Sequence, residues 1–287
     1  MAARALIRRS VAAPTALVVC GIASTQVGGA VAKTLFDRTG PGGVAFLRVA
    51  FAAAILLAVW RPAVPARRDF ALAALFGLAL AGMNLSFYEA LDRLPLGIAV
   101  TIEFVGPLGV AVAGSRRALD GVWVLLAAAG VVLLARGGSA PALGVGLALL
   151  AGGCWAAYIV LSAKVGGVFP GGTGLAIAMA VGAVALVPAG AAGGRLGDPA
   201  VLGAALGVAL LSSVIPYSLE LEALRRLPKR VFGILMSIEP AMAALAGLIV
   251  LGEGLRARDV VAIALVVAAS AGASLSAGEG AARPIDS

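Results

Sequence analysis

Long apolar runs separated by short polar ones dominate the chain of 287 residues. A helix that crosses a bilayer needs about 20 consecutive, mostly apolar residues, and ten such runs occur, centred near residues 23, 51, 79, 104, 127, 151, 181, 209, 240 and 267. Turn chemistry stands between them: Arg38 to Gly43 (RTGPGG), Arg61 to Asp69 (RPAVPARRD), Arg136 to Pro141 (RGGSAP), Pro170 to Gly174 (PGGTG) and Gly193 to Pro199 (GGRLGDP). The expected fold is an all-α polytopic membrane protein with ten transmembrane helices. Its loops are too short for a soluble nucleotide-binding or catalytic domain, so whatever the chain does, it does inside the bilayer.

Composition agrees with this reading. Charged residues make up 13% and apolar residues 61%, with a mean hydropathy of +1.06; an ordinary soluble domain is about 25% charged. Histidine is absent, which removes the usual general base and every Ser/His or Cys/His nucleophile arrangement. Cys20 and Cys154 each stand alone in an apolar run and read as small packing residues rather than metal ligands or a disulfide. No metal or cofactor is expected.

With the two tails and every second loop taken as one side, that side carries 14 Lys and Arg residues and the other 7. The positive-inside rule then puts both termini in the cytoplasm. The net charge of +8 reflects this topology, since no basic, aromatic-interleaved patch suggests a nucleic-acid partner. Arg4, Arg8 and Arg9 before an apolar stretch, with Ala30-Val31-Ala32 after it, imitate a signal peptide. The first run is read as a retained span, because its removal would break an internal repeat.

That repeat is plain in two segments. Glu89 to Pro95 reads EALDRLP and Glu222 to Pro228 reads EALRRLP, six of seven residues identical at an offset of 133. Pro107 then falls on Pro240, Gly114 on Gly247 and, after a six-residue insertion, Asp120 on Asp259; Ala32-Lys33 matches Ala163-Lys164. Two five-helix halves, residues 14–136 and 141–277, follow. Five is odd, so the halves insert with opposite orientation, the inverted-repeat plan of secondary transporters.

An ionisable side chain at the bilayer centre costs about 2.5 to 3.5 kcal/mol on insertion scales, so mid-span polar groups are functional candidates. Glu103 and Glu239 fit best, each beside a helix-breaking proline, Pro107 or Pro240. These prolines free the carbonyls of Glu103 and Met236. Burial penalises the charged form of a carboxyl, so one of the two glutamates is expected to hold either a proton or a substrate ammonium, but not both. Around them stand Asn84 and Tyr88 on the third run, and Ser213, Tyr217 and Glu220 on one face of the eighth, where Pro216 frees the carbonyl of Ser212. The Arg48 guanidinium suits a substrate carboxylate, unless it snorkels to the membrane surface. Trp155 and Tyr158 share a face of the sixth run and read either as cavity lining or as interface-belt aromatics. Lys33 and Lys164 read as caps of carbonyl ends or headgroup contacts, and Gly203 with Gly207 as a close helix contact.

The chain resembles the EamA-type permeases of the drug/metabolite transporter superfamily. The likeness rests on the paired ALxRLP-like segments before a proline-containing span. It also rests on three longer stretches: Leu94 to Trp123 (LPLGIAVTIEFVGPLGVAVAGSRRALDGVW), Gly152 to Lys164 (GGCWAAYIVLSAK) and Pro216 to Leu245 (PYSLELEALRRLPKRVFGILMSIEPAMAAL). It implies ten spans in an inner membrane and efflux of small neutral amino acids of the threonine/homoserine type. It also implies drive by protons without ATP. Beyond membrane lipid, no obligate protein partner is expected. Glu103 to Pro107, Pro216 to Glu220 and Met236 to Pro240 would line the cavity, while Glu222 departs from the family's apolar residue and receives no role. Other metabolite or drug permeases share the fold; a membrane-embedded lipid-modifying enzyme is the reading from a different class, and it lacks an aspartate-rich metal motif.

The topology is checked by fusions: a fluorescent protein after Ser287 should fluoresce in the cytoplasm, and alkaline phosphatase inserted in Gly193 to Pro199 should be active outside it. Inactive phosphatase there would reverse the orientation.

Overall fold

A computed structural model describes residues 2–63, 65–113, 118–136 and 140–280, and among them every regular element is helical. In chain order these are α1 (Ala2–Lys33), α2 (Phe36–Trp60), α3 (Arg67–Leu91), α4 (Leu96–Glu103), α5 (Val105–Ala113), α6 (Ala118–Arg136) and α7 (Ala142–Val168). They continue with α8 (Thr173–Ala191), α9 (Pro199–Ala209), a π-helical turn (Leu210–Val214), α10 (Ile215–Leu224), α11 (Lys229–Met236), α12 (Glu239–Leu251) and α13 (Ala257–Gly280).

Counting α4 with α5 and α11 with α12, nine helices of the described residues are long and apolar enough to cross a membrane. The tenth apolar run is present as the shorter Pro199–Val214 helix, continued by α10. Its continuation carries Glu220 and Glu222, which is why an apolar window stops early there. Large apolar residues cover the outside of the bundle: Leu125, Val184 and Ile249 are all more than two-thirds exposed. Such a surface suits lipid and would aggregate in water.

Inside, α3 packs on α7 and α8, α2 on α8 and α9, α1 on α10 and α12, α4 on α12, α5 on α7, and α6 on α13. Lipid tails are as apolar as the side chains, so helix association depends on close packing, which small residues allow. Gly106 faces the Gly152 carbonyl where α5 meets α7, and a Cβ on Gly152 would stand 2.6 Å from the Glu103 carbonyl oxygen.

Three sequence expectations are corrected. Arg38 to Gly43 is not the turn between the first two spans; the chain turns at Thr34 and Leu35, and α2 runs through the segment with a kink at Gly40 (φ 70°, ψ 160°). Glycine tolerates that backbone and Pro41 restarts the helix after it. Cys20 does not pack internally but is exposed. Gly203 and Gly207 have open space before them, with no close helix contact, because α9 turns other residues toward α2.

The α5–α7 seam is tested by Gly152→Leu, expected to lower stability by about 1–3 kcal/mol through overpacking, read as the thermal midpoint of the purified protein. An unchanged midpoint would show that the seam can relax.

Candidate functional site

Three spans are interrupted at mid-depth. In the fourth, Pro107 has no N–H to give the Glu103 carbonyl; α4 stops at Glu103, the chain turns at Phe104, and α5 begins at Val105. In the ninth, α11 stops at Met236 and α12 starts at Glu239 with Pro240 in its first turn, where proline is tolerated. The two short leading helices, α4 and α11, are both eight residues long. In the eighth, the π-helical turn precedes Pro216, which cannot donate to the Ser212 carbonyl.

That carbonyl does not go unanswered. Arg48 Nη2 donates to Ser212 O at 3.1 Å, and Ser24 Oγ donates to Leu211 O at 2.7 Å. Arg48 Nη1 also donates to the Tyr88 hydroxyl at 3.3 Å, with the guanidinium 5.7 Å from the Tyr88 ring centroid. Arg48 therefore turns inward and does not snorkel.

The interrupted spans enclose a cavity of about 430 Å³ with α1, α2, α3 and α7. Of the residues singled out by sequence, Arg48, Asn84, Tyr88, Glu103, Phe104, Pro107, Trp155, Tyr158, Pro216, Glu220, Met236 and Glu239 line it. Glu103 and Glu239 are each 7% exposed and Tyr88 is fully buried. Trp155 meets Phe104 edge-on at 5.7 Å, and Tyr158 packs against Phe76 at 5.0 Å, so both aromatics belong to the interior rather than to an interface belt. Asn84 Nδ2 donates to Leu80 O at 2.9 Å. Pro240 is buried without lining the cavity and acts as the start of α12. The Tyr217 side chain lies outside the described residues.

Sequence reasoning passed over Gln26. It is 3% exposed, lines the cavity, and its Nε2 donates to Glu239 Oε1 at 3.2 Å. Its signal was available, a polar side chain in the middle of the first apolar run. Thr25, Met83 and Phe87 also line the space. Two buried oxygens there, Glu239 Oε2 and Ser212 Oγ, have no hydrogen-bond partner. The cavity thus combines a cation with three carboxyl groups and neutral polar groups, within aromatic and apolar walls. Such a set can hold a small dipolar solute. Among the described residues no group of acidic or cysteine side chains is arranged to hold a metal ion.

Comparison with known proteins gives a consistent picture. Residues 142–275 match the EamA-like transporter family. Over 270 residues the chain is 44% identical to the threonine/homoserine exporter RhtA of Escherichia coli (strain K12), with 91% of each chain covered. The chain belongs to the EamA-like transporter family. The RhtA exporter of Salmonella typhimurium (strain LT2) is 42% identical over the same length, again with 91% of each chain covered. A solved crystal structure of a protein superposes with a TM-score of 0.62 at 19% identity, covering 93% of this chain and 98% of the other; that likeness concerns the fold. These relatives are transporters rather than enzymes, so a membrane-embedded enzyme is set aside.

Removing the Arg48 donor would take from the Ser212 carbonyl the partner that replaces its lost helical bond. Arg48→Leu is expected to cost about 1–3 kcal/mol, measured as a lower thermal midpoint; an unchanged midpoint would mean that the carbonyl finds another donor.

Proposed function

We propose that this transporter is a proton-coupled exporter of small neutral amino acids, with threonine and homoserine as substrates, in the bacterial inner membrane. The observation that carries the reading is the single cavity in which Arg48, Glu103 and Glu239 line the same space between interrupted spans. An amino-acid zwitterion needs an anionic partner for its ammonium and a cationic partner for its carboxylate. Glu103 or Glu239 serves the ammonium, and Arg48, whose guanidinium has five donors, serves the carboxylate. The identity of 42–44% to exporters named for threonine and homoserine supports the substrate class.

Proton antiport follows if the same carboxyl takes a proton when the ammonium leaves. Gln26 suits this exchange, because an amide donates to a carboxylate and can accept from a protonated carboxyl. Glu220, on the eighth span, extends the polar lining, and Tyr217, three residues before it in sequence, is kept as a candidate substrate contact. Asn84, Tyr88, Trp155 and Tyr158 shape the wall, while Pro107 and Pro240 keep the two glutamate-bearing spans broken.

The architecture we propose is ten spans in two inverted five-helix repeats, residues 14–136 and 141–277, with both termini in the cytoplasm. The packing supports it. Exchanging the first five spans with the second five turns the α3–α7 contact into α10–α1, α3–α8 into α9–α2, and α5–α7 into α12–α1, all of which occur. The leading helices Leu96–Glu103 and Lys229–Met236 are displaced by the same 133 positions as the sequence repeat.

One observation favours a second reading, a permease for a bulkier metabolite: Phe87, Tyr88, Phe104, Trp155 and Tyr158 gather at the cavity although aromatic residues are only 5% of the chain.

Counterflow of radiolabelled threonine into proteoliposomes separates the two. Saturable flux, accelerated by an imposed pH gradient, is expected from the native chain. In Glu103→Gln or Glu239→Gln it should fall by about tenfold or more, the loss of one charge-assisted hydrogen bond. Folded protein that moves neither threonine nor homoserine would exclude the proposed substrates, and inhibition by bulky aromatic metabolites would favour the second reading.

A further inference from the structure

One polar cluster of the transporter lies outside the proposed substrate site and joins its two halves. Lys33, the last residue of α1, donates from Nζ to the Leu94 carbonyl at 2.7 Å and to Glu253 Oε1 at 2.6 Å. The other carboxylate oxygen, Glu253 Oε2, accepts from the Leu96 backbone N–H at 2.7 Å. The two side chains are 22% and 16% exposed, so solvent screens this pair less than a surface one.

The position of the cluster is set by the backbone. Gly252 ends α12 in the left-handed region (φ 67°), which a glycine adopts without strain, and the chain folds back so that the Glu253 N–H donates to the Gly247 carbonyl at 3.1 Å. Gly247 has no side chain where the carboxylate comes to rest, since a Cβ there would stand 2.7 Å from Glu253 Oε2.

The cluster roofs the cavity. Gly29, one turn before Lys33, and Leu96, held by Glu253, both line it, and both are buried. Each helix tied at the cluster also carries a polar group of the site. Gln26 lies seven residues before Lys33 on α1, Glu103 seven after Leu96 on α4, and Glu239 eight before Gly247 on α12. At 1.5 Å per residue these separations are all about 10–12 Å. The three helices thus bring their site groups to one level and are fastened at another.

Among the described residues no matching lysine–carboxylate pair fastens the opposite end. Lys164, the repeat mate of Lys33, is exposed. Glu253 lies in the insertion of the second half, and the matching stretch of the first, Ser115 to Leu119 (SRRAL), contains no acid. Pro107, Trp155 and Glu220, toward that end of the cavity, are only partly buried.

We propose that Lys33, Glu253 and the Leu94 to Leu96 turn form the outer gate of the transporter, closed in this structure, and that release of substrate to the outside requires the Lys33–Glu253 pair to part. Substrate then enters the cavity from the opposite, cytoplasmic end. The proposal rests on the transport reading and on its topology.

Its test does not require the substrate. In a background of Cys20→Ala and Cys154→Ala, Met83→Cys places one thiol on the cavity wall. A membrane-impermeant maleimide is applied from the periplasmic side of spheroplasts, and the labelling rate is measured. Parting the pair shifts the closed-to-open ratio, so Glu253→Gln or Lys33→Met is expected to raise the rate by about tenfold. Gly247→Ala, which crowds the Glu253 carboxylate and leaves every charge in place, should move the rate the same way. Equal rates in all variants that elute as the native protein on gel filtration would overturn the gate. A second arm joins Lys33→Cys and Glu253→Cys with a bifunctional thiol reagent. Threonine flux should stop in the joined protein and persist in either single variant, and full flux through the joined protein would also overturn the proposal. If threonine does not move at all, the labelling arm still decides the gate, so its failure and that of the substrate assignment are told apart.

Discussion

Within a bilayer no water is at hand to satisfy a polar group, so each backbone carbonyl freed from a helix and each ionisable side chain must find a partner in the protein. The site depends on that constraint. Prolines interrupt the fourth, eighth and ninth spans, and the interruptions converge on one cavity rather than scatter over the lipid face. The Ser212 carbonyl, released by Pro216, is taken up by Arg48, which would otherwise be an expensive charge in the same interior. Two liabilities offset each other. Glu239 is held in part by Gln26 from a helix 213 positions away in sequence, and one of its oxygens stays unpartnered.

Much of this was legible in the sequence because lipid makes the pattern local. Apolar runs of span length, the 133-residue offset and mid-span glutamates beside prolines are all features of neighbouring residues. They located Glu103, Glu239 and the Ser212 carbonyl, and Arg48, Asn84, Tyr88, Pro107, Trp155, Tyr158 and Glu220 line the cavity with them. What was missed depends on long-range contact. Gln26 carried a local signal as a polar residue in an apolar run, but its partner, Glu239, is 213 positions away. Lys33 did read as a cap, but its carbonyl belongs to Leu94 and its counter-ion is Glu253, 220 positions away. The kink at Gly40 resembled an interhelical turn because glycine and proline serve both, and Cys20, a small apolar residue in an apolar run, carried no sign of which face of its helix it occupies.

The arrangement also ties recognition to movement. The helices that carry Gln26, Glu103 and Glu239 are α1, α4 and α12, and the same three meet at the cluster of Lys33, Leu94, Leu96 and Glu253. A change of partner at the carboxylates therefore acts on rigid rods about two turns long, whose far ends are fastened by one ion pair and two backbone hydrogen bonds. Packed interiors switch between discrete arrangements rather than deform continuously, so this geometry lets a small rearrangement at the site bias the closure above it.

The central claim is that a substrate ammonium and a proton compete for one buried carboxyl. The most direct test is to add threonine to purified protein in weakly buffered solution and to follow proton release with a pH indicator. The expected result is release that saturates with threonine and disappears in whichever of Glu103→Gln and Glu239→Gln removes the shared carboxyl. Saturable threonine binding with no proton released, at any pH where the protein is folded, would contradict it.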